Sequence, residues 1–510
     1  MIHLPTFSRI YMSELSETAV FYVKYALMTD FSLQQQLKQV CYYANNKGVM
    51  KMKLVYDVSD KPAFSKRIVF AFQQVLAIMA ATIAVPLIVG NGMSTAAALF
   101  GAGVGTLVYA FFTKGKSPVF LGSSFAFIGS MCAAFAGAVS AQAGFAGLIL
   151  GAIFAGLVYV ILSFIIRFVG VEWINRIMPP VVIGPTVAII GLSLAGNAIG
   201  DLQISSATGE ATQWAVLCGL TALITTMLTS TYGNRTLRLI PFIIGILAGY
   251  AVATVLTLIG TSIGDPSMQI INFSGITALF ADGISLNTFV SLPDFSFLHA
   301  LEGIKSIDAS YVGTVAVAYI PVAFVVFAEH IADHKNISSI INRDLLEDPG
   351  LANTLLGDGV GSIVGAFFGG CPNTTYGESV ACVAITRNAS VATIKLAAIE
   401  CILISFVSPF VAFISSIPSC VMGGVCMALY GFIAVSGLKM IQRLDLDVNR
   451  NLYVVSTILI SGIGGLSLTF GNITITSVAC ALILGIIVNL LLRKDPRPVP
   501  ELEEDRLPEE

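Results

Sequence analysis

Fourteen apolar segments follow one another along this chain, and their spacing leaves little choice of environment. They cover residues 68–90, 95–112, 118–134, 144–166, 178–198, 212–231, 239–260, 311–330, 356–370, 375–386, 391–416, 418–438, 452–469 and 474–492. With 56% hydrophobic and 11% charged residues and a mean hydropathy of +0.86, a chain of 510 residues is too apolar for a soluble globule. The expectation is an all-α polytopic membrane protein with fourteen transmembrane segments. Two of them are too short or too interrupted to count as complete spans.

Basic residues in the turns test that count independently. With a cytoplasmic amino terminus, the even-numbered turns hold Lys114 and Lys116, Arg167 and Arg176, Arg235 and Arg238, Lys335 and Arg343, Arg387 and Lys395, then Lys439, Arg443 and Arg450, and finally Arg493, Lys494 and Arg497. The intervening turns hold only Lys305, in a long 261–310 loop that also carries Asp265, Asp282, Asp294, Glu302 and Asp308. Cytoplasmic turns collect Lys and Arg, so both termini are expected in the cytoplasm of a cell whose cytoplasmic membrane holds the chain. Residues 1–60 have no apolar core ahead of a cleavage site and read as a poorly ordered cytoplasmic extension, with room for one short amphipathic helix. Residues 494–510, acidic and rich in proline, read as a disordered tail. A net charge of −3 without a basic block argues against a nucleic-acid partner. The nine cysteines are scattered without metal-ligand spacing and read as small packing residues, so no cofactor or metal is expected.

The stretch Gly369–Arg387, GGCPNTTYGESVACVAITR, is where function is expected to sit. Its apolar part is only about ten residues long, which at 1.5 Å rise reaches about half of a ~30 Å hydrocarbon core. Pro372, Asn373, Thr374 and Thr375 precede it, so the chain is expected to cross the outer half in non-helical form and to begin a helix near Gly377. Such a start leaves backbone N–H groups free near the membrane midplane, where irregular backbone is tolerated only around a cavity or inside protein. That is the shape of a transporter binding site, and Glu378 stands at its head.

A weak internal repeat points the same way. Pro179–Gly184 matches Pro418–Gly423 at Pro, Val and Gly, and Ser123-Ser124-Phe125 matches Thr374-Thr375-Tyr376 as two hydroxyls followed by an aromatic. Seven spans is an odd number, so two seven-span halves face opposite ways and form a 7+7 inverted repeat. Segment 118–134 then partners 375–386, and two broken spans meeting at the midplane bring Phe125 near Gly377. Ser124, beside Phe125, joins the candidate site residues.

The eighth segment supplies the remaining ionisable groups, Glu329, His330, Asp333 and His334. Glu329 and Asp333 are i, i+4 and share a face, with the imidazoles on a neighbouring one. An acid within a span is a functional hypothesis by default, whereas Asp333 is equally explained by interhelical bonding or a wet helix end, and the histidines more readily so. Gln73 and Gln74 in the first segment are neutral groups able to reach the same cavity or to bond between helices. Glu400 has no evident partner.

At these residues the sequence resembles the nucleobase–ascorbate transporter (nucleobase:cation symporter-2) family, and most of all its bacterial uracil permeases. The matching pieces are FAFQQVLAIMAATIAVPLIVG, KGKSPVFLGSSFAFIG, AEHIADH, RDLLEDPGL, PNTTYGESVACVAITR and VMGGVCMALYGFIAVSG, in order from about Lys66 to Arg450. The resemblance implies short antiparallel strands in broken segments 3 and 10. It also implies a core domain (61–170 and 311–416) moving against a gate domain (171–310, including the long loop, and 417–493), and a homodimer through the gate. It further implies a base held by Glu329 and Glu378, by the backbone amides of Phe125 and Gly377, and among the aromatics Phe125, Tyr376 and Tyr430.

The chemistry stands beside that analogy. Uracil is flat and neutral with two N–H donors and two carbonyls, so carboxylates accept, backbone amides donate and aromatic faces exclude water. A site acid beside a second acid can carry one proton, giving proton symport, with Glu329, Asp333 and His330 as the candidate coupling residues. The sequence departs from the family at Ser379 and Ala381, where Asn and Gly are usual, and at Gln74 and Asp333, where uracil permeases commonly have His. The expected function is therefore an importer of uracil, not an enzyme. The alternatives are a xanthine or uric acid permease, and more distantly an anion transporter or channel.

Overall fold

The computed structural model describes residues 54–492 apart from 171, 172, 174–176, 235, 282, 471 and 472. The amphipathic helix expected before residue 54, Cys41, Arg176, Arg235 and the acidic tail lie outside the described residues.

In chain order the elements are α1 (Phe64–Val89), α2 (Thr95–Phe112), β1 (Leu121–Ser123), a tight turn over Phe125–Phe127, α3 (Ile128–Ala136), α4 (Ala141–Val169), α5 (Pro180–Ser193), α6 (Ala195–Gln203), α7 (Gln213–Tyr232) and α8 (Pro241–Ile263). The long loop contains α9 (Ser274–Ala278), α10 (Leu286–Phe289) and α11 (Ser296–Gly303). Then come α12 (Ala309–Ile341), α13 (Leu351–Gly369), β2 (Asn373–Thr375), α14 (Gly377–Thr386), α15 (Val391–Ile404), α16 (Ser408–Ser415), α17 (Ser419–Ile441), α18 (Asn449–Ile463), β3 (Leu468–Phe470), β4 (Ile473–Ile475) and α19 (Ser477–Leu491). Among the described residues, nine helices are long and apolar enough to cross a membrane, with α5 and α6 running together as one.

Local chemistry sets the helix ends. Ser94, Ser140, Thr212, Asp308 and Ser390 each accept a backbone N–H from the first turn of the helix they precede. Prolines open α5 and α8, and Pro418 caps α17. On α4, Leu157, Ile161, Phe164 and Phe168 form an exposed apolar stripe. The face turned inward carries Gly144, Gly147 and Gly151, against which Phe135, Tyr311 and Tyr319 pack. Apolar side chains outward and small residues inward is the arrangement a bilayer selects.

Two sets of helices pack separately. In one, α2 lies against α13 and α15, and α4 against α3, α12 and α13. In the other, α17 lies against α5, α6 and α7, α7 against α8, and α18 against α5 and α19. They meet where α12 touches α5, α19 and β4, and where α1 touches α8.

Within the first set, β1 and β2 form an antiparallel ladder pairing Leu121 with Thr375, Gly122 with Thr374 and Ser123 with Asn373. The Thr106 hydroxyl accepts from the Leu121 N–H at 2.9 Å, and Asn373 Nδ2 donates to the Gly101 carbonyl at 3.0 Å. Gly122 is required by contact: a Cβ there would run into the Tyr376 ring. Gly122→Ala is therefore expected to displace Tyr376 and cost about 1–3 kcal/mol, measurable as a lower thermal transition of the purified protein.

The structure corrects several boundaries. The eighth segment does not end at 330: α12 continues to Ile341, because its polar residues bond to other helices within the protein instead of ending the span. Segment 391–416 is interrupted between α15 and α16, where Val290 bridges Val407 and the Ser291 N–H donates to the Phe406 carbonyl. Segment 452–469 is helical only to Ile463 and then turns into β3. Residues 54–60, expected to be part of a poorly ordered extension, are tied to the rest. Val55 N–H donates to Arg387 O at 2.8 Å, Ala389 N–H to Tyr56 O at 2.9 Å and Val391 N–H to Val58 O at 3.1 Å.

Candidate functional site

A cavity of ≈ 390 Å³ lies between the two sets. One wall holds Ala77 of α1, Phe125, Glu329, Ala332 and Asp333 of α12, and the run from Thr374 to Glu378. The other holds Val187 of α5, Phe242 of α8, Leu429, Phe432 and Ser436 of α17, and Arg238. The volume falls in the range of small-molecule sites.

The geometry of the first wall follows from the β1–β2 ladder. Tyr376 is fixed twice, its N–H donating to the Phe120 carbonyl at 3.2 Å and its hydroxyl to the Ser123 carbonyl at 2.7 Å. Helix α14 starts directly after it, and its first intrahelical bond is Val380 N–H to Tyr376 O at 3.2 Å. The N–H groups of the first turn therefore lie ahead of the helical bonding pattern, at an end that attracts electron-rich atoms. Nothing lies within 4 Å of the Cβ position at Gly377, so its backbone is open to the space beside it.

Glu329, Asp333 and Glu378 all line the cavity and are partly exposed. Asp333 is held from across the wall by the Thr375 hydroxyl, which donates to Oδ2 at 2.8 Å. The buried Thr374 hydroxyl also lines the cavity and has no partner among the described residues. Opposite the acids, Arg238 is held at the end of α7, donating to Gly233 O at 2.7 Å and Thr231 O at 2.8 Å.

Of the residues proposed from sequence, Glu329, Asp333, Phe125, Tyr376, Gly377 and Glu378 line this cavity. Four do not. Tyr430 stands behind Phe125, edge-on with ring centroids 5.7 Å apart. Ser124 donates its N–H to Pro372 O at 2.9 Å, and its buried hydroxyl has no partner among the described residues. Gln74 is buried and donates from Nε2 to the Ser379 hydroxyl.

His330 points to a different neighbour altogether. Its Nδ1 is 2.7 Å from Asp358 Oδ2 and its Nε2 is 3.0 Å from the Thr354 hydroxyl, both on α13, and His330 and Asp358 are 0% exposed. One turn on, His334 Nδ1 donates to the His330 carbonyl at 2.8 Å, and its Nε2 meets the Tyr109 hydroxyl at 2.7 Å. Tyr109 in turn bonds to Ser117 at 2.7 Å. α12 thus presents acids to the cavity and imidazoles to α2 and α13.

Sequence reasoning missed Asp358, although an acid within the apolar run 356–370 was a signal. It also passed over Ser379 as an anchor, and took Arg238 only as a topological charge. Glu400, on α15, has one buried carboxylate oxygen without a partner among the described residues and does not line the cavity.

Chemically, the cavity offers carboxylates that accept N–H groups, a helix start that donates to carbonyls, and aromatic faces.

Comparison with known proteins places the chain among permeases. A family model described as "Permease family", of xanthine and uracil permeases, matches residues 65–470. The chain is 36% identical over 450 residues to the uracil permease of Bacillus subtilis (strain 168), covering 87% of this chain and 96% of the relative. It is 34% identical over 439 residues to the uracil permease of Escherichia coli (strain K12), covering 86% and 93%. Among solved structures it resembles the transmembrane domain of the cyanobacterial bicarbonate transporter BicA, with a TM-score of 0.55 at 14% identity, covering 85% of this chain and 99% of that one. This last likeness concerns the fold alone. The relatives are named permeases and not enzymes, and the chain, an integral membrane protein, belongs to the nucleobase–ascorbate transporter (nucleobase:cation symporter-2) family.

Proposed function

We propose that this protein is a secondary active importer of uracil that couples uptake to a proton, with the first helix set acting as a core that moves against the second as a gate. The observation that carries this reading is the cavity between the two sets, where Glu329, Asp333 and Glu378 face the open start of α14. Two of these acids suffice to accept the two ring N–H groups of uracil, and a third leaves a carboxyl to carry the proton. Candidate coupling residues are Glu329 and Asp333. His330, bonded on both ring nitrogens by α13, supports the scaffold in this reading. The similarity to uracil permeases over most of both chains supports the substrate class.

The inverted repeat belongs to the same proposal, with fourteen segments, two copies pairing through the gate and both termini in the cytoplasm. It draws support from matched parts: each short strand, β1 and β2, leads into a short helix, and the paired prolines Pro179 and Pro418 each take the capping position of a helix, α5 and α17. Alternating access would then expose the cavity to each side in turn.

A second reading, a permease for two-ring bases such as xanthine, is favoured by one observation: ≈ 390 Å³ leaves room beyond a single pyrimidine ring. Competition for radiolabelled uracil uptake by unlabelled uracil, xanthine, guanine and sulfate separates these readings and the anion reading. Competition by uracil alone is expected. Accumulation is expected to collapse when the proton gradient is dissipated, and full retention would remove the coupling claim.

A further inference from the structure

We infer that Ser379 is a positioning residue for Glu378 and that Gln74 acts on the substrate only through Ser379, an inference that rests on the nucleobase site proposed above. The argument begins at Phe120, the residue that leads into β1. Its N–H donates to Ser379 Oγ at 3.0 Å, and its carbonyl accepts from the Tyr376 N–H at 3.2 Å. One peptide segment thus grips the start of α14 on both sides of Glu378. From the opposite direction, Gln74 of α1 donates to the same Ser379 oxygen.

Gln74, Phe120 and Ser379 are all buried, at 3%, 0% and 0% exposure, and neither Gln74 nor Ser379 lines the cavity. A serine oxygen has two acceptor lone pairs, and these two donors take both. The hydroxyl is therefore the point where α1, the entry to β1 and the first turn of α14 are joined. The N–H groups of residues 377–379 precede the first helical bond of α14, so the Ser379 side chain ties this turn to its neighbours where its own N–H groups do not. Loss of the hydroxyl strands the Phe120 N–H and the Gln74 amide in a buried place and frees the carboxylate of Glu378 to turn away from its ligand. Gln74, whose place in the first segment suggested direct contact with the substrate, becomes a brace one residue removed.

The test is a double-mutant cycle on the full-length purified protein, with Gln74→Leu, Ser379→Ala and the pair, reading the Kd for radiolabelled uracil and the uptake rate in proteoliposomes. Each single change is expected to weaken uracil binding on the order of tenfold, with a smaller effect on the maximal rate. The double variant is expected to bind no more weakly than Ser379→Ala, and Gln74→Leu is expected to lower affinity for uracil, 2-thiouracil and 4-thiouracil by the same factor. Additive losses, or a Gln74→Leu loss confined to one analogue, would mean that Gln74 touches the ring and would overturn the inference. The analogue series on Gln74→Leu alone decides the point if Ser379→Ala fails to yield a monodisperse protein. A wild-type protein that binds no nucleobase would overturn the site reading and this inference with it.

Discussion

Glu378→Gln is expected to lower uracil binding and uptake by at least about 100-fold, while membrane insertion and thermal stability stay near those of the wild type. Glu378 lines the cavity at the open start of α14 and is partly exposed there, so the substitution removes little packing. Its effect is on hydrogen-bond direction. A carboxylate presents only acceptors, and a charge-assisted bond to a ring N–H is stronger than a neutral one. Glutamine keeps the shape but can turn an NH2 donor toward that N–H, leaving two donors opposed. Binding of radiolabelled uracil to detergent-purified variant and wild type measures this directly. Undiminished affinity in the variant would count against a carboxylate–base contact at this position.

His330→Ala is expected to have the other large effect, and on stability rather than on specificity. His330 and Asp358 join α12 to α13 at 2.7 Å with no solvent exposure, and Thr354 satisfies the second ring nitrogen at 3.0 Å. Removing the ring leaves the buried Asp358 carboxyl without its partner, a loss of about 1–3 kcal/mol, to which the packing lost with the imidazole adds. The thermal transition should fall sharply, and Asp358→Asn should fall less because an amide can still bond to the ring. A stable His330→Ala protein with normal uracil binding but altered dependence on the proton gradient would return His330 to the coupling role that its position next to Glu329 first suggested.

These two residues also mark what is legible in a sequence of this kind. The apolar runs, their polar turns and the acid Glu378 after a proline and two hydroxyls are local patterns, and bilayer thickness converts them into spans and an interrupted segment without knowledge of the neighbours. The partner of His330 is not local. It depends on α12 lying beside α13, which brings Asp358 within reach from 28 positions away. The same limit explains Gln74: its amide looked available to a cavity until α14 placed Ser379 against it, across a separation of 305 residues. The end of α12 was misread for a related reason. Asp333 and His334 read as a wet helix end, yet Thr375 and Tyr109 satisfy them and the helix continues. Residues 54–60 are too short a run to signal order by themselves, and it is the backbone of 387–391 that pairs with them.

Arg238 gives the electrostatics of the cavity a direction. It is the basic residue among the cavity's lining, set on the wall opposite three acids and tethered to the carbonyls at the end of α7. An anion would therefore face carboxylates on one side, whereas a neutral base requires no countercharge.

The central claim is that a flat neutral base sits in the cavity between the two helix sets, against Glu329 and Glu378. A structure determined with saturating uracil tests it most directly. The account predicts planar ring density in that cavity, with carboxylate oxygens of Glu329 and Glu378 within hydrogen-bond distance of the ring nitrogens and the Gly377 and Phe125 N–H groups facing its carbonyls. Ring density elsewhere, or these two acids separated by packed side chains with no ligand between them, would contradict it.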